Sequence, residues 1–129
     1  MVTCSNQTTL PQISVGPNLY YWPKAQLEQF YQHIAQSPAT VIYLGETVCS
    51  KRFRIQLCRL SAYSFTLQEV GKQVVLSGLT LLKSQADLRA LQQLTAQGQF
   101  MVEANDVGTA HYLFRQQLPL SEGAALSLY

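Results

Sequence analysis

Short apolar runs and longer amphipathic segments alternate along the chain, which predicts strands and helices in turn. The strand candidates are rich in β-branched and aromatic residues, and apolar positions recur at helical spacing between them. Five β units joined by four helices predict an α/β fold with parallel strands. The predicted strands are residues 13–22, 40–44, 73–76, 100–103 and 118–121.

The helix candidates have start signals of different kinds. Pro23 is suited to the first helical turn, and Ser84 and Asp106 are residue types that cap the third and fourth helices. The second helix is predicted over residues 54–69 and carries weaker helix formers. The residues predicted to face inward are Leu27, Phe30, Tyr31 and Ile34 in the first helix, Ile55, Cys58, Ala62 and Phe65 in the second, Leu88, Leu91 and Leu94 in the third, and Ala110, Leu113 and Phe114 in the fourth.

Two architectures fit this alternation of strands and helices. One is a doubly wound parallel sheet, and the other is a (β/α) barrel of the TIM type. A complete barrel takes about 250 residues, so the 129 residues here would form its first half. Residues 1–12 are polar and predict a flexible tail, which leaves residues 13–129 as a single α/β domain.

Composition narrows the class of protein. The chain is 47% hydrophobic and only 12% charged, which favours a folded domain with a large core over disorder. No basic stripe with interleaved aromatics predicts nucleic-acid binding, and no apolar run reaches the ~18 residues of a membrane span. Without a secretory signal the expected location is the cytoplasm, where thiols stay reduced. Cys4, Cys49 and Cys58 are therefore not expected to form disulfides.

Polar residues follow the predicted strands at the end where parallel (β/α) folds place their sites. Because the carboxyl ends of parallel strands line one edge, these residues are expected to lie close together. No Ser/His/Asp set, H-E-x-x-H motif or glycine-rich phosphate loop is present, so no catalytic residue is assigned. The candidate residues at this edge are Glu46, Ser77, Glu103, Asn105 and Asp106.

Several of these edge residues also have an ordinary structural explanation. Asp106 fits the N-cap of a helix, and Ser77 fits a residue that satisfies the backbone of a turn. Glu46 fits an ion pair with Lys51 or Arg52. The sequence leaves both kinds of role open for each residue.

A thiol follows the second strand in the segment TVIYLGETVCSKR, residues 40–52. Lys51 and Arg52 come directly after Cys49-Ser50, and nearby cations favour the thiolate. The thiolate is the form that binds metals or attacks electrophiles. Cys49 is therefore a candidate ligand or nucleophile, with a structural thiol as the alternative.

The string YLGETVCSKR, residues 43–52, resembles the collagenase-like peptidase family, number thirty-two of the unassigned class. Within that family it is most similar to the UbiV branch, which acts in oxygen-independent ubiquinone biosynthesis. GPNLYYWP at residues 16–23, GKQVVLS at 71–77 and VEAND at 102–106 also resemble that branch. The resemblance extends over residues 13–129.

The resemblance implies the amino-terminal part of a barrel-like fold and a role in hydroxylating ubiquinone precursors without oxygen. It further implies a heterodimer with a UbiU-like sister subunit and a 4Fe-4S cluster held by four cysteines. Cys49 matches the first of these ligands, whereas Cys4 and Cys58 match none of them. The other three ligands lie further along in the family, so we expect this chain to be an amino-terminal fragment, a truncated product or part of a split protein, inactive alone.

The sequence leaves two alternative functions open. One is a peptidase-like or RNA-modifying enzyme of the wider family. The other is a non-catalytic half-barrel that pairs with a partner subunit, because an open sheet edge invites pairing with another chain.

Overall fold

The computed structural model of the chain describes residues 11–96 and 100–123, without the side chains of residues 50 and 53–58. Nearly all of the predicted flexible tail, residues 1–12, lies outside the described residues, as does the end of the predicted domain at residues 124–129. The predicted inward positions of Ile55 and Cys58 also fall outside the described side chains.

Strands and helices alternate through the described residues, as the sequence predicts. The strands are parallel throughout, which confirms the α/β class and the β-α repeat. The elements are β1 Ser14–Val15, α1 Lys24–Gln36, β2 Val41–Gly45, α2 Ser50–Glu69, β3 Gln73–Ser77, α3 Gln85–Thr95, β4 Met101–Ala104, α4 Val107–Arg115 and β5 Leu120–Glu122.

The strand order distinguishes the two predicted architectures. The sheet runs β1-β2-β3-β4-β5, so each strand lies beside the next one in the sequence. A doubly wound sheet reverses its direction at a switch point, and no reversal occurs among the described strands. The doubly wound alternative is therefore wrong, and the sequential order is that of a (β/α) barrel.

One face of the sheet packs against all four helices. Right-handed crossovers between sequential parallel strands place every helix on the same side of a sheet. Alternate strand residues reach this side and join helix residues in a single hydrophobic core. The strand members of that core are Ile42, Leu44, Val74, Leu76, Val102 and Ala104, and the helix members include Leu27, Tyr31, Leu60, Leu67, Ala90, Leu94 and Leu113.

The intervening strand residues form the opposite face, which we call the inner face. Their register arranges them in rows across the sheet. Tyr43, Val75 and Met101 form an apolar row. The next row toward the carboxyl ends consists of Gly45, Ser77, Glu103 and Ser121.

The inward face of α2 differs from the prediction. Ala62 and Phe65 are exposed, and the buried stripe is Leu60, Ser64 and Leu67. The spacing of this stripe at i, i+4 and i+7 is helical, but its middle residue is polar. Ser64 is accommodated because its hydroxyl donates a hydrogen bond of 2.6 Å to the carbonyl of Leu60. A search for apolar positions alone misses such a stripe.

The prediction that Phe114 faces inward on α4 is also wrong. Phe114 is 76% exposed, whereas Leu113 is fully buried. Consecutive residues point about 100° apart around a helix with 3.6 residues per turn, so these two neighbours cannot share the core equally. Thr109, one turn before Leu113, is the other buried residue of α4.

Candidate functional site at the carboxyl edge of the sheet

A buried carboxylate organises the loop between β2 and α2. Oε1 of Glu46 accepts hydrogen bonds from the backbone N–H groups of Val48, at 2.9 Å, and Cys49, at 3.1 Å. Oε2 accepts from Nε of Arg52 at 2.8 Å. Glu46 is only 2% exposed, and a carboxylate is tolerated there because it is hydrogen-bonded and paired. Of the two predicted partners, Lys51 and Arg52, the structure shows Arg52.

Arg52 connects this carboxylate electrostatically to the thiol. The hydrogen bond to Glu46 raises the pKa of the guanidinium above its ordinary value. Burial acts in the opposite direction, while electrostatic interactions with Glu46 and with Cys49 add to the increase in the pKa of Arg52. The positive charge of Arg52 therefore lies within electrostatic reach of both groups.

Cys49 occupies the N-cap position of α2 at the carboxyl edge of the sheet. Its backbone is extended, its thiol makes no capping hydrogen bond, and the residue is half-buried. The nearby residue Thr47 ties this loop to the one after β3, because its carbonyl accepts from N–H of Thr80 at 2.8 Å and from the Thr80 hydroxyl at 3.0 Å. The loop thus presents a partly accessible thiol from a fixed backbone.

Ser77, Glu103 and Asn105 form a second group at the same edge, which we call the rim triad. The hydroxyl of Ser77 donates to Oε2 of Glu103 at 2.7 Å. Nδ2 of Asn105 donates to the same oxygen at 3.2 Å and to the carbonyl of Gly78 at 3.1 Å. The direct pairing of Ser77 with Glu103 in neighbouring strands places the first two side chains together.

Two glycines allow the backbone to approach the rim triad closely. Gly45 has φ +137°, and a Cβ there would lie 2.6 Å from the carbonyl oxygen of Ser77. A Cβ on Gly123 would lie 1.9 Å from Oδ1 of Asn105. Both contacts are shorter than a carbon atom tolerates, so these positions exclude larger residues while the triad keeps this geometry.

Asp106 has a structural role as a helix N-cap, which was one of the two roles that the sequence left open for it. Its Oδ1 accepts from the N–H groups of Gly108, at 2.6 Å, and Thr109, at 3.3 Å, which caps α4. Its Oδ2 accepts from N–H of Leu82 at 3.4 Å and so holds the loop after β3. This geometry confirms Asp106 as an N-cap.

The polar residues that were predicted to converge at this edge therefore lie in separate hydrogen-bonded groups. The edge brings Ser77, Glu103 and Asn105 into one hydrogen-bonded group. The hydrogen bonds that Glu46 accepts come from its own loop and helix, and those that Asp106 accepts come from α4 and the loop after β3.

Sequence reasoning missed the contacts within the rim triad and the apolar row of the inner face. Ser77 and Glu103 are 26 residues apart, and nothing in the chain marks them as partners. The inner row could have been found from the alternation of side chains along each strand, because residues two apart share one face. Tyr43, Val75 and Met101 follow from that rule once the register is known.

The described residues do not fit a 4Fe-4S cluster by themselves. Such a cluster is held by four thiolates, and Cys49 is the one cysteine whose side chain is described. Among the described residues no group of three or more His, Cys, Asp or Glu side chains could hold a metal ion. Cys49 can therefore contribute one cluster ligand at most, and a cluster would need further thiolates from elsewhere.

No protein-family model matches the chain, and no solved structure matches it. Within residues 11–96 and 100–123, none of the helices combines the length and apolar character that crossing a membrane requires.

Proposed function

We propose that this chain is the amino-terminal, barrel-type part of an iron–sulfur protein of anaerobic, oxygen-independent ubiquinone biosynthesis. Its role is to support hydroxylation of ubiquinone precursors in the cytoplasm, together with a UbiU-like sister subunit. The supporting observation is the loop in which buried Glu46 fixes the backbone of Cys49 and binds Arg52. The motif resemblance singles out the same thiol.

Cys49 would supply one thiolate to the 4Fe-4S cluster, and the remaining ligands would come from outside the described residues. Its place at the carboxyl edge of a sequential parallel sheet is where (β/α) barrels carry their functional groups. A thiolate-ligated cluster is anionic, and the positive charge of Arg52 would partly offset that charge. The chain acts as a subunit in this proposal, without a catalytic residue of its own assigned.

The test is the iron and acid-labile sulfide content of the native complex. The protein is isolated under anaerobic conditions together with its sister subunit, as wild type and as Cys49→Ser. Cys4→Ser and Cys58→Ser are matched controls, because neither cysteine matches a cluster ligand of the family. We expect Cys49→Ser to lose the cluster and the controls to keep it. Unchanged iron and sulfide in Cys49→Ser would overturn the assignment.

Ubiquinone production separates this proposal from a peptidase-like or RNA-modifying activity. The gene is returned to an anaerobically grown deletion strain, and ubiquinone is quantified. Restored ubiquinone that depends on Cys49 supports the proposed function. A strain that makes ubiquinone equally well without the gene would contradict it.

A non-catalytic half-barrel that pairs with another chain is a second candidate, favoured by the sheet edges. Among the described strands, β1 pairs only with β2, and β5 pairs only with β4. Their outer backbone groups are a template for pairing with a further strand. Light scattering on this chain tests the idea, since a stable, well-behaved monomer argues against an edge that needs a partner.

A further inference from the structure

Glu103 places a negative charge on the inner face with neutral donors around it. Its hydrogen bonds come from the hydroxyl of Ser77 and the amide of Asn105. The ion pairs of the described residues are Lys24–Glu28 and Arg52–Glu46, and neither includes Glu103. This partly exposed carboxylate is therefore held by neutral donors and has no cationic partner among the described residues.

One oxygen of the Glu103 carboxylate accepts hydrogen bonds from described residues, and the other oxygen does not. Both donors bind Oε2, at 2.7 Å from Ser77 and 3.2 Å from Asn105. Oε1 accepts no hydrogen bond from any of the described residues. A carboxylate oxygen can accept more than one hydrogen bond, so Oε1 is available to a donor on a ligand.

The carboxylate is held in one orientation before any ligand arrives. Ser77 is fully buried and Asn105 is 4% exposed. Asn105 is fixed in turn by the carbonyl of Gly78 and by the close approach of Gly123. Groups positioned by buried neighbours lose little conformational freedom on binding, which favours a binding role.

An apolar row lies beside the rim triad on the same face. Tyr43, Val75 and Met101 precede the row of Glu103 by two residues along each strand. Two residues of a parallel strand span about 6.6 Å, a distance that an aromatic ring with one hydroxyl group can bridge. Tyr43 and Met101 are half-buried and therefore present apolar surface to a ligand.

We propose that Glu103 binds the hydroxyl group of a neutral phenol whose ring lies on Tyr43 and Met101. The choice of a phenol rests on the proposed function, because ubiquinone precursors are aromatic rings with a hydroxyl group. Glu103 accepts a hydrogen bond and does not take the proton, since a phenol is a far weaker acid than a carboxylic acid. It acts as a positioning and selectivity residue.

The charge of Glu103 also sets a preference between related ligands. A phenol that carries a carboxylate brings a second negative charge to a face where Glu103 has no cationic partner among the described residues. Like charges in a partly buried site repel each other. The site is therefore selective for the neutral phenol over the matched hydroxybenzoate.

The test compares two probes by titration calorimetry on the complex with its sister subunit. The probes are ortho-hexylphenol and the same molecule with a carboxylate para to the hydroxyl. Wild type is expected to prefer the neutral probe. In Glu103→Gln we expect neutral-probe affinity to fall about tenfold or more, as for loss of a hydrogen bond to a charged group, while affinity for the anionic probe rises.

Glu122→Gln is the matched control, because it removes a carboxylate from the neighbouring strand opposite Ala104, outside the row of Glu103. It should leave the ratio of the two affinities unchanged. If Glu103→Gln weakens both probes equally, or changes neither, the proposal is overturned, since a structural role alone would not invert the preference. Iron content of Glu103→Gln is measured in parallel and should match wild type, so failure here is separable from failure of the cluster assignment.

If circular dichroism shows that Glu103→Gln does not fold, Ser77→Ala serves as the alternative variant for the same test. This variant removes one orienting donor and keeps the charge. Neutral-probe affinity should fall severalfold with no gain for the anionic probe. Wild-type affinity for the neutral probe in Ser77→Ala would overturn the proposal.

Discussion

Nε of Arg52 lies 2.8 Å from Oε2 of Glu46, and this pair joins the start of α2 to the end of β2. The carboxylate is almost fully buried while the guanidinium is about one quarter exposed. Glu46 also accepts two backbone hydrogen bonds from its own loop. The pair therefore fixes the loop that carries Cys49.

Glu46→Ala should lower the free energy of unfolding by about 2–4 kcal/mol, because it removes the acceptor of two partly buried backbone N–H groups and the partner of a partly buried cation. Urea denaturation measures the change. Glu28→Ala is the control, since it removes an exposed ion pair with Lys24 at 3.7 Å that is worth about 0.5 kcal/mol or less. Equal losses in both variants would contradict the role assigned to Glu46.

Gly45→Ala should destabilise the fold by about 2–4 kcal/mol, through a strained backbone and a steric clash with β3. The added Cβ would lie 2.6 Å from the carbonyl oxygen of Ser77. Gly71→Ala separates the two causes, because Gly71 has φ +84° and nothing within 4 Å of its Cβ position. Denaturant unfolding should show a cost of only about 1 kcal/mol there. A smaller cost at Gly45 than at Gly71 would be inconsistent with the close strand contact.

Leu113→Ala should cost about 2–4 kcal/mol of stability, because it leaves a cavity in the core beneath α4. Phe114→Ala is its neighbour and control, and its 76% exposed ring predicts a change within about 0.5 kcal/mol. Thermal and urea unfolding report both values. The inward assignment of Leu113 fails if the larger loss belongs to Phe114.

Alkaline pH should destabilise the protein through Tyr31. Burial raises the pKa of its phenol above the ordinary value, and the neighbouring charge of Tyr63 raises it further. The unfolded chain releases this proton near pH 10, whereas the folded protein retains it to higher pH. The stability that Tyr31 provides is complete below about pH 10 and declines as pH rises above it.

Tyr31→Phe should therefore flatten the fall in stability above about pH 10, measured by urea unfolding at a series of pH values. Tyr20→Phe is the control, because that ring is 76% exposed. It should leave the slope of wild type in place. Identical slopes for wild type and Tyr31→Phe would rule out this origin of alkaline sensitivity.

The order of strands and helices could be predicted from the sequence because each segment carries its own periodicity. β2 and β3 agree with prediction to within one residue at each end, and the caps Ser84 and Asp106 are as expected. β1 is shorter than the predicted strand, since Pro17 has no N–H to continue a ladder. α2 begins at Ser50, before the predicted start at residue 54, because Glu46 holds the loop in front of it.

The candidate site was less predictable than the fold because its contacts join distant segments. Glu103 was expected at the edge, but its bond to Ser77 depends on strand register, which no local pattern in the sequence states. The sequence offered Lys51 and Arg52 as partners for Glu46. The structure shows Arg52 as the partner, and the choice depends on where α2 begins. The assignment of Cys49 as a cluster ligand remains a prediction.

The sequential strand order has a consequence for how the chain folds during synthesis. Among the described strands, each one after β1 pairs with the strand made just before it. One helix separates each pair of neighbouring strands in the sequence, so closing each connection costs less entropy than pairing strands farther apart in the chain would. As the ribosome releases the chain from its amino terminus, each strand after β1 can therefore pair with the exposed edge of the strand before it.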